Sequence, residues 1–276
     1  MIGLIYTNKR LLILLLGLWP MASVAQAFDH GHSRWTNVLQ KYVTVEGAKS
    51  RVNYARLKTD QNELNFYLKE LESVTLENFR TFDQGERLAF LINAYNALTV
   101  KLILDNYPIK SIRKIGSLFS SAWKIQFFTL FGEKLYLDNI EQGLIRQTTE
   151  AIRELPPVVR SALVPFNEPR IHFALNCASK SCPMLQPQAF IPAKLNEQLE
   201  DAARSFIKNP ENNRYDAGAS ELALSSIFKW YVEDFKKVAD SVQAYAASRI
   251  ASRPEEEDNI KKANIIFLDY DWSLNE

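Results

Sequence analysis

The only two thiols of the chain and one of its three imidazoles fall within eleven residues, in the run Ile171-His172-Phe173-Ala174-Leu175-Asn176-Cys177-Ala178-Ser179-Lys180-Ser181-Cys182-Pro183. The remaining histidines, His30 and His32, lie far upstream. Four chemistries are open to such a cluster. Cys177 or Cys182 could be a nucleophile with His172 as its base, because a thiol needs a nearby base or cation to react at neutral pH. The two cysteines could instead form a disulfide, whose short loop would stabilise the fold by only about 2 kcal/mol. A zinc site could use His172, Cys177, Cys182 and a distant carboxylate, although the spacing matches no common zinc signature. Simple packing is the fourth. Read as a strand, Arg170 to Asn176 turns His172, Ala174 and Asn176 to one face and leaves Cys177 at the turn.

A second constellation lies in an apolar stretch from Leu88 to Leu104. Glu86 and Asn93 are seven residues apart and share a helix face, and Asn96 follows Asn93 by one turn. Buried, each amide must find partners or cost roughly 1–3 kcal/mol. Glu86 or Asn93 could orient His172 as the third member of a triad. Alternatively, Glu86 completes a capping box with Asp83 and the asparagines tie down adjacent loops. Asn176 or a backbone amide is the candidate oxyanion donor. Trp230 with Tyr231, and Tyr270 within Tyr270-Asp271-Trp272, could wall a cleft or simply be core. Arg51 to Tyr54 reads as an isolated polar and aromatic loop.

The elements that must carry these residues are legible from periodicity. Trp35, Val38, Leu39 and Tyr42, then Leu64, Leu68 and Leu71, recur at helical spacing. Asp83-Gln84-Gly85-Glu86 starts a long buried helix that Pro108 ends. Aromatic and β-branched residues from Trp123 to Phe131, Gly132-Glu133, then Lys134 to Leu137 predict a hairpin. Asp138 caps a short helix through Arg146. Residues 192–208 are helical. Leu222 to Leu224 is a short strand, and Ser225 or Ser226 caps a helix through Phe235. Another helix covers about 239–250, and Asn264 to Leu268 is a last strand. Helices around a small antiparallel or mixed sheet define an α+β fold.

Composition limits the function. Of 276 residues 47% are hydrophobic and 24% charged, with 33 basic against 32 acidic side chains. A net charge of +1 offers no broad basic face for nucleic acid. Residues 1–27 read as a secretory signal peptide: Lys9 and Arg10, the apolar run Leu11 to Leu18, and Ala25-Gln26-Ala27 as the cleavage signal. Residues 28–276 then form one globular domain with no further membrane span, in a periplasmic or secreted setting. Cleavage after Ala27 would expose Phe28-Asp29-His30, which could bind Cu(II) or Ni(II) through four nitrogens, or be a solvated arm.

Glu86 to Ala97, Leu135 to Ile145, the run from His172 to Pro183, and Tyr270-Asp271-Trp272-Ser273-Leu274-Asn275 together resemble the domain of unknown function 547 family. The resemblance covers residues 28 to 276. It implies an exported protein with a fold of papain-like or transglutaminase-like kind, and it marks Glu86, Asn93, His172, Asn176 and Cys177 as site residues. Plant members of the family carry serine at the position of Cys182, which favours Cys177 as the nucleophile. The expectation is a cysteine-dependent hydrolase or acyl transferase, acting without a cofactor on a peptide, isopeptide or thioester. The alternative is a non-catalytic peptide- or ligand-binding module bridged at Cys177 and Cys182.

Overall fold

The computed structural model describes residues 27–117 and 120–276, so the signal-peptide reading lies outside the described residues apart from Ala27. The longest element is the helix Gln84–Asn106, buried continuously from Leu88 to Val100 and again from Leu102 to Leu104. Its start is a complete capping box. The Asp83 carboxylate accepts the Glu86 amide at 2.8 Å, and the Glu86 carboxylate accepts the Asp83 amide at 2.8 Å. At the far end Tyr107, which precedes Pro108, is extended as a residue before proline prefers. The Lys58 ammonium donates to the carbonyls of Leu104 and Tyr107, at 3.0 and 2.6 Å, where helix carbonyls lack partners. By length and composition this helix could span a bilayer, contrary to the expectation that no segment after residue 27 could. Its most apolar window is 89% buried within the protein itself.

Around it pack the helices Ser33–Tyr42 and Asn62–Ser73, both at the expected positions. The predicted hairpin is shorter than expected, Phe128–Leu130 with Glu133–Leu135. Arg51 to Tyr54 is not a loop. Lys49–Val52 pairs with Val43–Glu46, and Tyr54 opens a helix to Thr59.

The second half is built on a three-stranded mixed sheet. Glu221–Ser225 lies between antiparallel Arg214–Asp216 and parallel Asn264–Leu268, in register Leu222↔Ile265 and Leu224↔Phe267. The helices Leu195–Lys208 and Val242–Ile250 cover it, and the charged segment after Arg253 is itself a helix, Pro254–Lys262. The other sheets among the described residues have two strands each, so the fold is α+β. Buried side chains form two clusters, one around the central helix and one around Phe173, Phe206, Phe228 and Phe235.

The segment that carries His172 is not a strand. Pro169–Phe173 forms a tight 3-10 helix, with Glu168 accepting the Arg170 amide at 3.1 Å and its guanidinium at 2.8 Å. An apolar run without alternation is ambiguous between strand and buried helix, and here the Pro169 start and this acidic cap decide for the helix.

Residues after Ala27 are not a solvated arm. Phe28 packs on Phe82 and Phe90, and His32 is 1% exposed with Nδ1 2.7 Å from the Tyr67 hydroxyl. Burial lowers the His32 pKa to about 3, against the opposing pull of Asp29. The unfolded imidazole titrates near 6.5. Between these values the unfolded chain binds a proton that the folded chain does not, so stability is present above pH 6.5 and falls on acidification. The slope is about 1.4 kcal/mol per pH unit. Urea unfolding at pH 6.5 and pH 4 should show the wild type losing roughly 3 kcal/mol more than His32→Gln. Equal losses would refute the assignment.

Candidate active site

Loop geometry around Cys177 begins with the central helix. Asn96 clamps the chain: its amide donates to the Ala174 carbonyl at 2.9 Å, and its oxygen accepts the Asn176 amide at 2.8 Å. Asn176 in turn donates to the Pro183 carbonyl at 2.7 Å and accepts the Ala178 amide at 2.9 Å. This holds Ala178 at φ 58°, a left-handed conformation that costs a non-glycine residue roughly 1–2 kcal/mol. Cys177 thus sits on a sharp, doubly fastened turn.

The two sulfurs are unbonded and 2.8 Å apart. Cys177 Sγ also lies 3.3 Å from the hydroxyls of Ser179 and Tyr270. Burial alone would push the Cys177 thiol up, but hydrogen bonds from Cys182, Ser179 and Tyr270 outweigh it and bring it below the usual thiol value. Cys182 is driven well above that value by burial and by its bond to Cys177. Cys177 is therefore the more acidic of the two thiols.

His172 is 4% exposed and its Nε2 lies 2.9 Å from Asp234 Oδ2. Its ring stacks on Tyr231 with centroids 3.8 Å apart. Asp234 also takes the Arg146 Nε at 2.5 Å and the Lys237 ammonium at 2.9 Å. Burial raises the Asp234 pKa, but these three donors override it and hold the carboxyl well below the ordinary range. Burial lowers the His172 pKa more than Asp234 raises it. The resting pair is a carboxylate and a neutral imidazole. With Nε2–H on Asp234, Nδ1 carries the lone pair, and it has no hydrogen-bond partner among the described residues.

His172, Cys177, Cys182, Trp230 and Tyr270 line one cavity of about 220 Å³. Tyr95, Trp123, Glu141, Gln142, Tyr231 and Trp272 complete much of its wall. Glu141 and Gln142 come from Asn139–Ile145, a π-helical turn in which the Arg146 amide reaches back to the Glu141 carbonyl at 2.9 Å. The Asp138 side chain makes no capping bond there, contrary to expectation.

Glu86 and Asn93 do not orient the imidazole. Glu86 is held in its capping box and lies 3.6 Å from His30, and Asn93 exchanges two hydrogen bonds with the Phe190 backbone at 2.7 and 3.0 Å. Both serve the helix and an adjacent loop. Asn176 has its side chain committed within its own turn and is not an oxyanion donor. The orienting group is Asp234, 62 residues beyond His172 in the chain. Nothing in the spacing singles it out; it lies in the predicted helix through Phe235, which the structure breaks at Tyr231 into Ser226–Trp230 and Val232–Lys236. Glu141 lies inside the Leu135 to Ile145 segment, where no spacing marks it. No group of three or more histidine, cysteine or acidic side chains among the described residues is arranged to hold a metal.

The fold and cavity define an α+β protein in which an Asp234-bound imidazole and a part-buried cysteine line one cavity. Residues 79–207 match the family described as protein of unknown function, DUF547. The match takes in the central helix, Glu141, His172 and both cysteines, and stops short of Tyr231, Asp234 and Tyr270. No curated protein and no solved structure matches the chain.

Proposed function

We propose that the cavity is the active site of an exported, cysteine-dependent hydrolase or acyl transferase. The observation that carries this reading is the Asp234-held His172, with a free Nδ1, lining the same cavity as a cysteine surrounded by thiolate-stabilising donors. His172 Nδ1 takes the Cys177 proton, and Sγ attacks the carbonyl carbon of a peptide, isopeptide or thioester. The Tyr270 hydroxyl, 3.3 Å from Sγ, is the donor for the developing oxyanion. The bond to the leaving group breaks as the imidazolium returns its proton to that group, leaving a thioester on Cys177. Water or an amine then attacks, His172 again relays the proton, and the C–S bond breaks.

An activated ester tests this without knowledge of the natural substrate. With p-nitrophenyl butyrate, a burst of about one equivalent of p-nitrophenol should accompany a butyryl group found on Cys177 by peptide mass spectrometry. Acylation elsewhere, or none, rejects the reading.

The 2.8 Å approach of the sulfurs favours a second reading, in which the pair is bridged in an oxidising compartment and the cavity only binds. Protein purified without reductant separates the two. Iodoacetamide should label Cys177 at pH 6 if it is the nucleophile, and only after reduction if it is bridged.

A further inference from the structure

Glu141 is a carboxylate without a counter-ion. It is 6% exposed and lines the cavity beside Cys177. Two neutral donors bond to it, the Tyr231 hydroxyl at 2.7 Å and the Gln142 amide at 2.9 Å; the Tyr95 phenol lies alongside, as does the Asp138 carboxyl, its pKa pushed up to about 7 by burial and by Glu141. Arg146, at the end of the same turn, is spent on Asp234 and on the Gln142 oxygen, and His172 is likewise turned to Asp234. No lysine, arginine or histidine among the described residues forms an ion pair with Glu141. Taking an unpaired carboxylate out of water costs several kcal/mol, which two neutral hydrogen bonds offset only in part.

The rest of the wall has the matching chemistry. Trp123, Trp230 and Trp272 line the same space, and Trp272 already holds the Arg113 guanidinium 5.3 Å from its ring centroid, the electrostatic attraction that an aromatic ring offers a cation. Trp230 stands at the rim, 44% exposed. At about 220 Å³ the space exceeds the roughly 150 Å³ that holds benzene in a protein interior. It therefore has room for an alkyl chain ending in a charged nitrogen.

We infer that the cavity selects substrates presenting a primary ammonium, as a lysine-like side chain or a small alkylamine, with Glu141 as counter-ion and the tryptophans as its aromatic walls. The inference rests on reading the cavity as the substrate site, and it adds the class of substrate. It is tested by binding rather than turnover. Cys177→Ser protein at pH 7 is titrated, with tryptophan fluorescence as readout, against n-butylamine and n-butanol. It is also titrated against N-acetyl-lysine methylamide and its norleucine counterpart. Each amine should bind at least tenfold more tightly than its neutral partner, and Glu141→Gln should reduce the ratio below threefold. Trp230→Leu, at the exposed rim, gives a second arm: it should weaken the amines threefold or more and n-butanol by less than twofold. A lysine amide that outcompetes butylamine assigns the site to a peptide side chain, and the reverse assigns it to a free amine; both support the inference. Equal affinities, no binding of any probe, or an amine preference that survives Glu141→Gln overturns it. Ester acylation of Cys177 without amine preference sinks only this inference, and amine preference without acylation sinks only the catalytic reading.

Discussion

Cys177→Ala should abolish the acylation burst, and Asp234→Asn should slow it by about 10²- to 10⁴-fold while the fold persists. The alanine variant has no group to carry the acyl chain. The asparagine variant is the more informative, because Asp234 acts through His172. If the new amide nitrogen occupies the Oδ2 position, it donates to Nε2, forces the ring proton onto Nδ1 and blocks acceptance of the thiol proton. If the amide oxygen stays there, the NH2 group faces the Lys237 ammonium and the negative charge that stabilises the imidazolium is lost. Either way the imidazole becomes a weaker base, so the rate should also fall off differently with pH. Rates and pH profiles of the two proteins in the ester assay decide the matter. An unchanged Asp234→Asn profile would show that the imidazole works without its carboxylate.

The second large effect is on stability. Asn96→Ala should destabilise the fold by about 3–5 kcal/mol, since it orphans the Ala174 carbonyl and the Asn176 amide, both buried, and leaves a small void. Asn93→Ala strips two partners from Phe190 in the same way and should cost a similar amount. Only the first borders the Cys177 turn. Urea denaturation should therefore rank the two variants together, while the alkylation rate of Cys177 changes in Asn96→Ala alone. A loss below 1 kcal/mol in Asn96→Ala would mean that water replaces the clamp.

The two asparagines illustrate what can be read from a sequence. Their burial and their need for partners follow from an apolar helix started by Asp83 and stopped before Pro108, and both helix ends lie where those signals put them. The strand Asn264–Leu268 is likewise visible in its β-branched and aromatic residues. Which backbone groups the amides meet depends on chain segments 78 to 97 residues away, and no local pattern encodes that. A separation of 62 residues from His172 likewise hides Asp234. Acidic residues are common, and only packing shows which of them faces an imidazole. The misread stretch before Cys177 has a different cause. Ile171 and Phe173 satisfy a strand pattern as well as a buried turn, and the deciding bonds come from Glu168, outside the apolar run.

One arrangement has a mechanical consequence. Ile171, Ala174 and Ala178 pack with the central helix, whereas Phe173, Tyr231 and Phe235 pack with the other cluster. The loop that carries Cys177 and the helix that carries Asp234 are thus anchored in separate interiors, with His172 between Ile171 of one and Phe173 of the other. They behave like two jaws whose gap is set by the fit between the clusters. A slip of an ångström at that seam would leave each half folded and the jaws misaligned, so the proposed reaction would depend on the seam more acutely than the fold does.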